Sequence, residues 1–67
     1  MITFGQILRD KRKKKKWSQT KLGNKIGVGY NIICRWETNL SYPTMMNLIS
    51  LADVFECSLD ELVGRRI

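Results

Sequence analysis

The sequence predicts an all-α domain of five short helices, and three observations carry that prediction. Apolar residues recur at three- and four-residue spacing in separate stretches of the chain, the period of one face of a helix. Hydroxyl residues or glycine stand where those stretches begin, at Thr3, Ser18, Gly29, Thr44 and Ser58, and all of these accept the N-cap position. Between the stretches lie Gly27 and Pro43, which redirect or stop a helix. Sixty-seven residues allow one domain, 1–67, with a core that is marginal unless well packed or completed by a partner subunit.

In the first helix, Thr3 and Gln6 have the spacing of a capping box, and Ile2 and Ile7 that of a hydrophobic staple, so the helix begins at Phe4. Phe4, Ile7 and Leu8 give it an inner face. Lys11 falls on the same face, where its stem can pack while its ammonium reaches water. The run KRKKKK, residues 11–16, holds half of the chain's twelve cations. A solvated helix end, favoured by the negative C-terminal dipole, accounts for such a run without any ligand.

The second and third helices fall within Ser18 to Glu37. Leu22 and Ile26 are four apart, Ile33 and Trp36 three apart, and Val28 lies between, which puts five apolar residues on one inner side. Gly27 supplies the φ > 0 needed between two helices. Gly23 sits mid-helix at a cost of roughly 1 kcal/mol relative to Ala, and a steep crossing by the next helix, with no room for a side chain, would explain it. Ser18 caps, with Trp17 and Leu22 as its staple; Val28 and Ile33 repeat that staple around Gly29. The third helix is expected over Tyr30 to Thr38.

Pro43 keeps the preceding residues out of helix, and Thr44 caps the next one. From Met45 to Glu56, Leu48, Leu51, Ala52 and Phe55 repeat at core spacing. Ser58 with Glu61 forms a second capping box, and Cys57 with Leu62 its staple, which makes Cys57 a small buried hydrophobe. The last helix runs from Leu59 to about Val63. Val63 and Ile67 are left with little of the chain to cover them, which fits either a subunit contact or a frayed end.

The run SQTKLGNKIGVGYNIICRWE, extended by FGQILRDKR before it and YPTMMNLISLADVFECSLDELVG after it, resembles the helix-turn-helix of phage repressor and Cro-type regulators, the xenobiotic-response-element family. The resemblance covers nearly the whole chain. It implies a compact lambda-repressor-like five-helix fold with its helix-turn-helix at about 18–38. It also implies sequence-specific binding of double-stranded DNA, as a homodimer on a two-fold operator, by a transcription regulator that is most simply a repressor.

Residue by residue, the resemblance implies an ion pair between Arg12 and Glu37 that braces the first helix against the recognition helix beside a DNA phosphate. It implies phosphate binding by Gln19, which is otherwise only a polar first-turn residue. Independently of the resemblance, Lys15 and Lys16 lie just ahead of Ser18 and Gln19 and can add phosphate contacts, and the free backbone donors of a helix start, with Ser18 at one and Gly29 at the next, bind phosphate. Tyr30, Asn31, Cys34 and Arg35 fall on the outer side of the recognition helix, as base readers. There Arg35 can take both acceptors of a guanine and Asn31 can pair twice with adenine, although Arg35 also suits a surface ion pair or a phosphate. Ile32 stands where relatives carry a small hydroxyl residue, and it either packs on the first helix or meets thymine methyls. Two other departures stand out. Lys16 replaces a frequent Gly, so either a Lys takes φ > 0 or the helix ends differently. The loop NLSYP lacks the cations common in relatives, leaving Asn39, Ser41 and Tyr42 able to give phosphates only neutral hydrogen bonds.

Net charge +6 and pI near 9.8 favour a polyanionic partner. No apolar run approaches a membrane span, and the N-terminus lacks a signal pattern, so a cytoplasmic protein without membrane partner is expected. Two cysteines and no histidine offer no metal cluster, and no cofactor or metal is expected. No acid, base and nucleophile can be assembled, so an enzyme is not expected. The competing class is a protein-interaction module such as an antitoxin, with a small protein partner and DNA binding secondary.

Overall fold

The computed structural model describes residues 2–64 and forms them into five helices: α1 (Phe4–Lys14), α2 (Gln19–Ile26), α3 (Tyr30–Glu37), α4 (Met45–Phe55) and α5 (Leu59–Val63). Four of the five carry a hydroxyl cap: Thr3, Ser18, Thr44 and Ser58 each accept the backbone N–H three residues on. Each cap satisfies one donor that the helix leaves unpaired. The box at Thr3 closes in both directions, since Thr3 N–H also donates to Gln6 Oε1. The box at Ser58 closes in one only, because the Glu61 carboxylate turns to Lys11 Nζ, 2.7 Å away.

The core consists of Leu8, Leu22, Ile33, Trp36, Leu51, Ala52, Phe55 and Leu62, with Phe4, Trp17, Ile26, Val28, Ile32, Leu48, Val54 and Cys57 packed around it. Most of these are positions chosen by the three-and-four spacing or by the staples, Val54 being an addition and Ile7 an omission, so burial of one face per helix holds the fold together. Trp17 stacks on Phe55 at 5.5 Å between centroids, and Lys25 Nζ lies 4.6 Å over the Trp17 ring. Lys25, though exposed, therefore lays its ammonium over an aromatic face. Ile2 remains largely exposed, so its staple to Ile7 adds little. Ile32 packs against the core, which resolves its two readings in favour of packing.

Every helix ends in a left-handed residue, and three of these are not glycine: Lys16 (φ 60), Asn39 (φ 62) and Glu56 (φ 54). After α1, Trp17 N–H reaches Arg12 O and Lys16 N–H reaches Lys13 O, the paired bonds of a Schellman turn. Thus Lys16 does take φ > 0. The same turn follows α3, where Leu40 bonds Arg35 O and Asn39 bonds Trp36 O, and α4, where Cys57 bonds Ala52 O. The third and fourth helices each end one residue earlier than the spacing suggested, with Thr38 and Glu56 as C-caps.

Two glycines mark close approaches. A Cβ on Gly23 would collide with the carbonyl oxygen of Val28; the turn before α3, rather than α3 itself, lies across it. A Cβ on Gly5 would collide with Glu37 O and stand 2.7 Å from Trp36 O, so α1 crosses the end of α3 backbone to backbone. Among the described residues, no helix is long and apolar enough to cross a membrane.

Candidate nucleic-acid interface

Glu37 closes α3, and its carboxylate faces inward with 4% of the side chain exposed. It accepts from Arg12 Nε at 2.6 Å and Nη2 at 3.0 Å, and from Gln19 Nε2 at 3.2 Å. Arg12 Nη1 donates in turn to Trp17 O at 2.9 Å. One carboxylate thus ties together the end of α1, the entry to α2 and the end of α3. A planar guanidinium suits this because its fork matches a carboxylate in two places. The hydrogen bonds to Glu37 raise the Arg12 pKa above its ordinary value, against the opposing effect of burial.

The pair expected between Arg12 and Glu37 is therefore present in the structure. With 11% of its side chain exposed and three of its five N–H groups taken, Arg12 is first a brace. Gln19 gives one Nε2 N–H to the same carboxylate, and the second is directed elsewhere.

On the opposite side of α3, Tyr30, Asn31, Cys34 and Arg35 are all exposed. Tyr30 and Cys34 form one i, i+4 row and Asn31 and Arg35 the next, so the four make a single outward patch. Gly29 opens the helix with no side-chain cap. Beside the patch, the exposed Lys15, Lys16 and Ser18 lead into α2. Ser18 Oγ accepts from Lys21 N–H, which leaves its own O–H free to donate. The first backbone N–H groups of α2 also lack helical partners, and such groups attract anions.

Asn39 and Tyr42 lie in the loop after α3. The Asn39 amide spans back to α1: Oδ1 accepts from Gly5 N–H at 3.1 Å, and Nδ2 donates to Thr3 Oγ1 at 3.0 Å. This clasp was missed in the sequence, where the available signal was an Asn just after a helix end, the non-glycine residue best suited to αL. Tyr42 is exposed, with its ring tilted against Phe4 at 6.4 Å. Val63 is exposed on α5, on the same face as Leu59. Ile67, grouped with it as a subunit contact, lies outside the described residues.

A small helical domain with one carboxylate-braced helix and a solvent-facing patch on that helix defines a class that the comparisons identify. A family model described as Helix-turn-helix matches residues 8–62, and the chain belongs to that family. It is 36% identical over 58 residues to the cryptic phage CTXphi transcriptional repressor RstR of Vibrio cholerae, covering 87% of this chain and 52% of that protein. It is 37% identical over 60 residues to repressor protein C2 of Salmonella phage P22, covering 90% of this chain and 28% of that one. The chain spans about half or less of the length of the curated relatives it matches. The solved structure of the P22 c2 repressor protein in complex with a synthetic operator superposes with a TM-score of 0.93 at 33% identity, covering 98% of this chain and 100% of that one.

Proposed function

We propose that this chain is a sequence-specific double-stranded-DNA-binding transcription regulator that represses by occupying a two-fold operator as a homodimer in the cytoplasm. The observation that carries it is the Glu37 carboxylate holding Arg12 and Gln19 together, because this fixes the entry to α2 against α3 while the outer face of α3 stays bare. Bare polar and aromatic side chains on a rigid helix, beside free helix N-terminal donors and lysines, suit a major groove flanked by phosphates.

In that arrangement Arg35 takes guanine and Asn31 takes adenine, while Tyr30 and Cys34 line the groove. Gln19, Ser18, Lys15, Lys16 and the N–H groups at the α3 N-terminus hold phosphates. Arg12 reaches a phosphate only secondarily. Asn39, with its amide engaged on α1, contributes less than Tyr42. The phage repressors among the relatives, one of them solved with a synthetic operator, support this assignment. Leu59 and Val63 supply the apolar face for a second copy.

Two substitutions test it, measured by fluorescence anisotropy on a panel of duplexes at several salt concentrations. Arg35→Ala should relax discrimination at one base pair by ~1–3 kcal/mol. Lys15→Ala should weaken all sequences alike and reduce the salt slope by about 1. Uniform weakening by both would show charge acting alone.

A further inference from the structure

We propose that Gly29 is a positioning residue for base recognition, acting through Asn31; this rests on the DNA reading above. Of the five helix starts, α3 alone has no side chain at its cap, the other four being Thr3, Ser18, Thr44 and Ser58. Serine at this place would gain a capping bond at little conformational cost, so glycine is not the choice that helix stability dictates.

The space left by the missing side chain is occupied. A Cβ built on Gly29 would stand 2.6 Å from Asn31 Oδ1 and 3.8 Å from Asn31 Cγ, and beyond the flanking residues it would meet no other described atom within 4 Å. The Asn31 side chain, two residues into the helix, thus lies back over the cap, in the place a Ser or Thr would fill. Gly29 itself has φ −75 and ψ 161, ordinary extended backbone open to any residue, so no conformational need for glycine competes with this explanation.

Adding a Cβ forces only the far end of an exposed, flexible side chain to move. The fold survives and the amide of Asn31 turns away. Since Asn31 stands at the N-terminal end of the outward patch, where a helix in the major groove meets base edges, the direction of that amide decides which base it pairs with. Gly29 therefore sets the readout without touching the base.

Gly29→Ala and Gly29→Ser add the same Cβ, and only the second adds a cap. In the free protein, a crystal structure should show the Asn31 amide oxygen lying over Gly29, and structures of both variants should show it turned away with the helices unchanged. On the duplex selected from a random pool, Asn31→Ala should lose an about tenfold preference at one base pair. Both Gly29 variants should lose the same preference at the same position, and combining either with Asn31→Ala should change nothing more. An intact preference in both variants overturns the proposal, as does equal weakening on every sequence. Failure of the underlying DNA reading looks different: the wild-type protein then enriches no duplex, and the inference falls with it.

Discussion

Arg12 and Glu37 meet in two hydrogen bonds, 2.6 Å from Nε and 3.0 Å from Nη2, with 11% and 4% of their side chains exposed. Removing one partner strands the other in a place with little water. Arg12→Ala should therefore destabilise the domain by about 3 kcal/mol, read from the urea midpoint. Replacing both by methionine should recover most of that stability, because an apolar pair of similar volume needs no counter-charge. The same double variant frees Gln19 from Glu37 and should still bind DNA poorly. Full DNA binding by it would show that the brace serves stability only.

The left-handed residues predict opposite outcomes for one kind of substitution. An αL residue other than glycine costs of order 1–3 kcal/mol, partly offset by the flexibility that glycine adds to the unfolded chain. Glu56→Gly should accordingly stabilise by up to about 1 kcal/mol, raising Tm by roughly 4–8 °C for a domain of this size. Asn39→Gly relieves the same backbone but removes the bonds to Gly5 and Thr3, and should lower Tm. Calorimetry of the two variants side by side decides it.

Much of this fold was legible because its signals are local. The hydroxyl caps and the spacing of Leu22, Ile26, Ile33 and Trp36 depend on residues within one or two turns, and the structure uses them as expected, whereas the Ile2 staple and the return half of the Ser58 box are not formed. The Arg12–Glu37 pair was legible through the family resemblance alone. What stayed hidden joins distant residues: Asn39 to Gly5, Lys11 to Glu61. Neither pair has a periodicity, and each exists only because the crossing of α1 with α3 or α5 brings the two together. Gly23 was noticed as a costly residue, yet its cause, the Val28 carbonyl, depends on the path of the turn. The same reasoning applied to Gly5 would have flagged the α1–α3 crossing.

Gly5 offers a direct test of that crossing. Ala would gain about 1 kcal/mol of helix propensity, but its Cβ would meet the backbone carbonyls of Trp36 and Glu37, which cannot rotate aside. The steric term should win, since overpacking costs typically 1–3 kcal/mol and occasionally more. Gly5→Ala should lower the urea midpoint, whereas a rise would contradict the contact.

The Lys11–Glu61 pair links α1 to α5 at 2.7 Å. The hydrogen bond from Lys11, with its charge, holds the Glu61 carboxyl below its ordinary value of 4.5. A depressed carboxylate pKa gives stability that is present above that ordinary value and lost as pH falls through the depressed one. Glu61 is exposed and solvent screens the pair, so the effect is small. An NMR titration should place the Glu61 midpoint below 4.5 and move it back toward 4.5 in Lys11→Met. An unchanged midpoint would mean the pair does not persist in solution.

Whether the outer face of α3 reads sequence is settled most directly by selecting bound duplexes from a random pool at two salt concentrations and sequencing them. An inverted repeat with half-sites ~10 bp apart, still enriched at the higher salt, is the predicted result, with Arg35→Ala erasing one conserved position in each half. Binding that enriches nothing and vanishes at the higher salt would contradict it, because only the charge of the lysine run would then be at work.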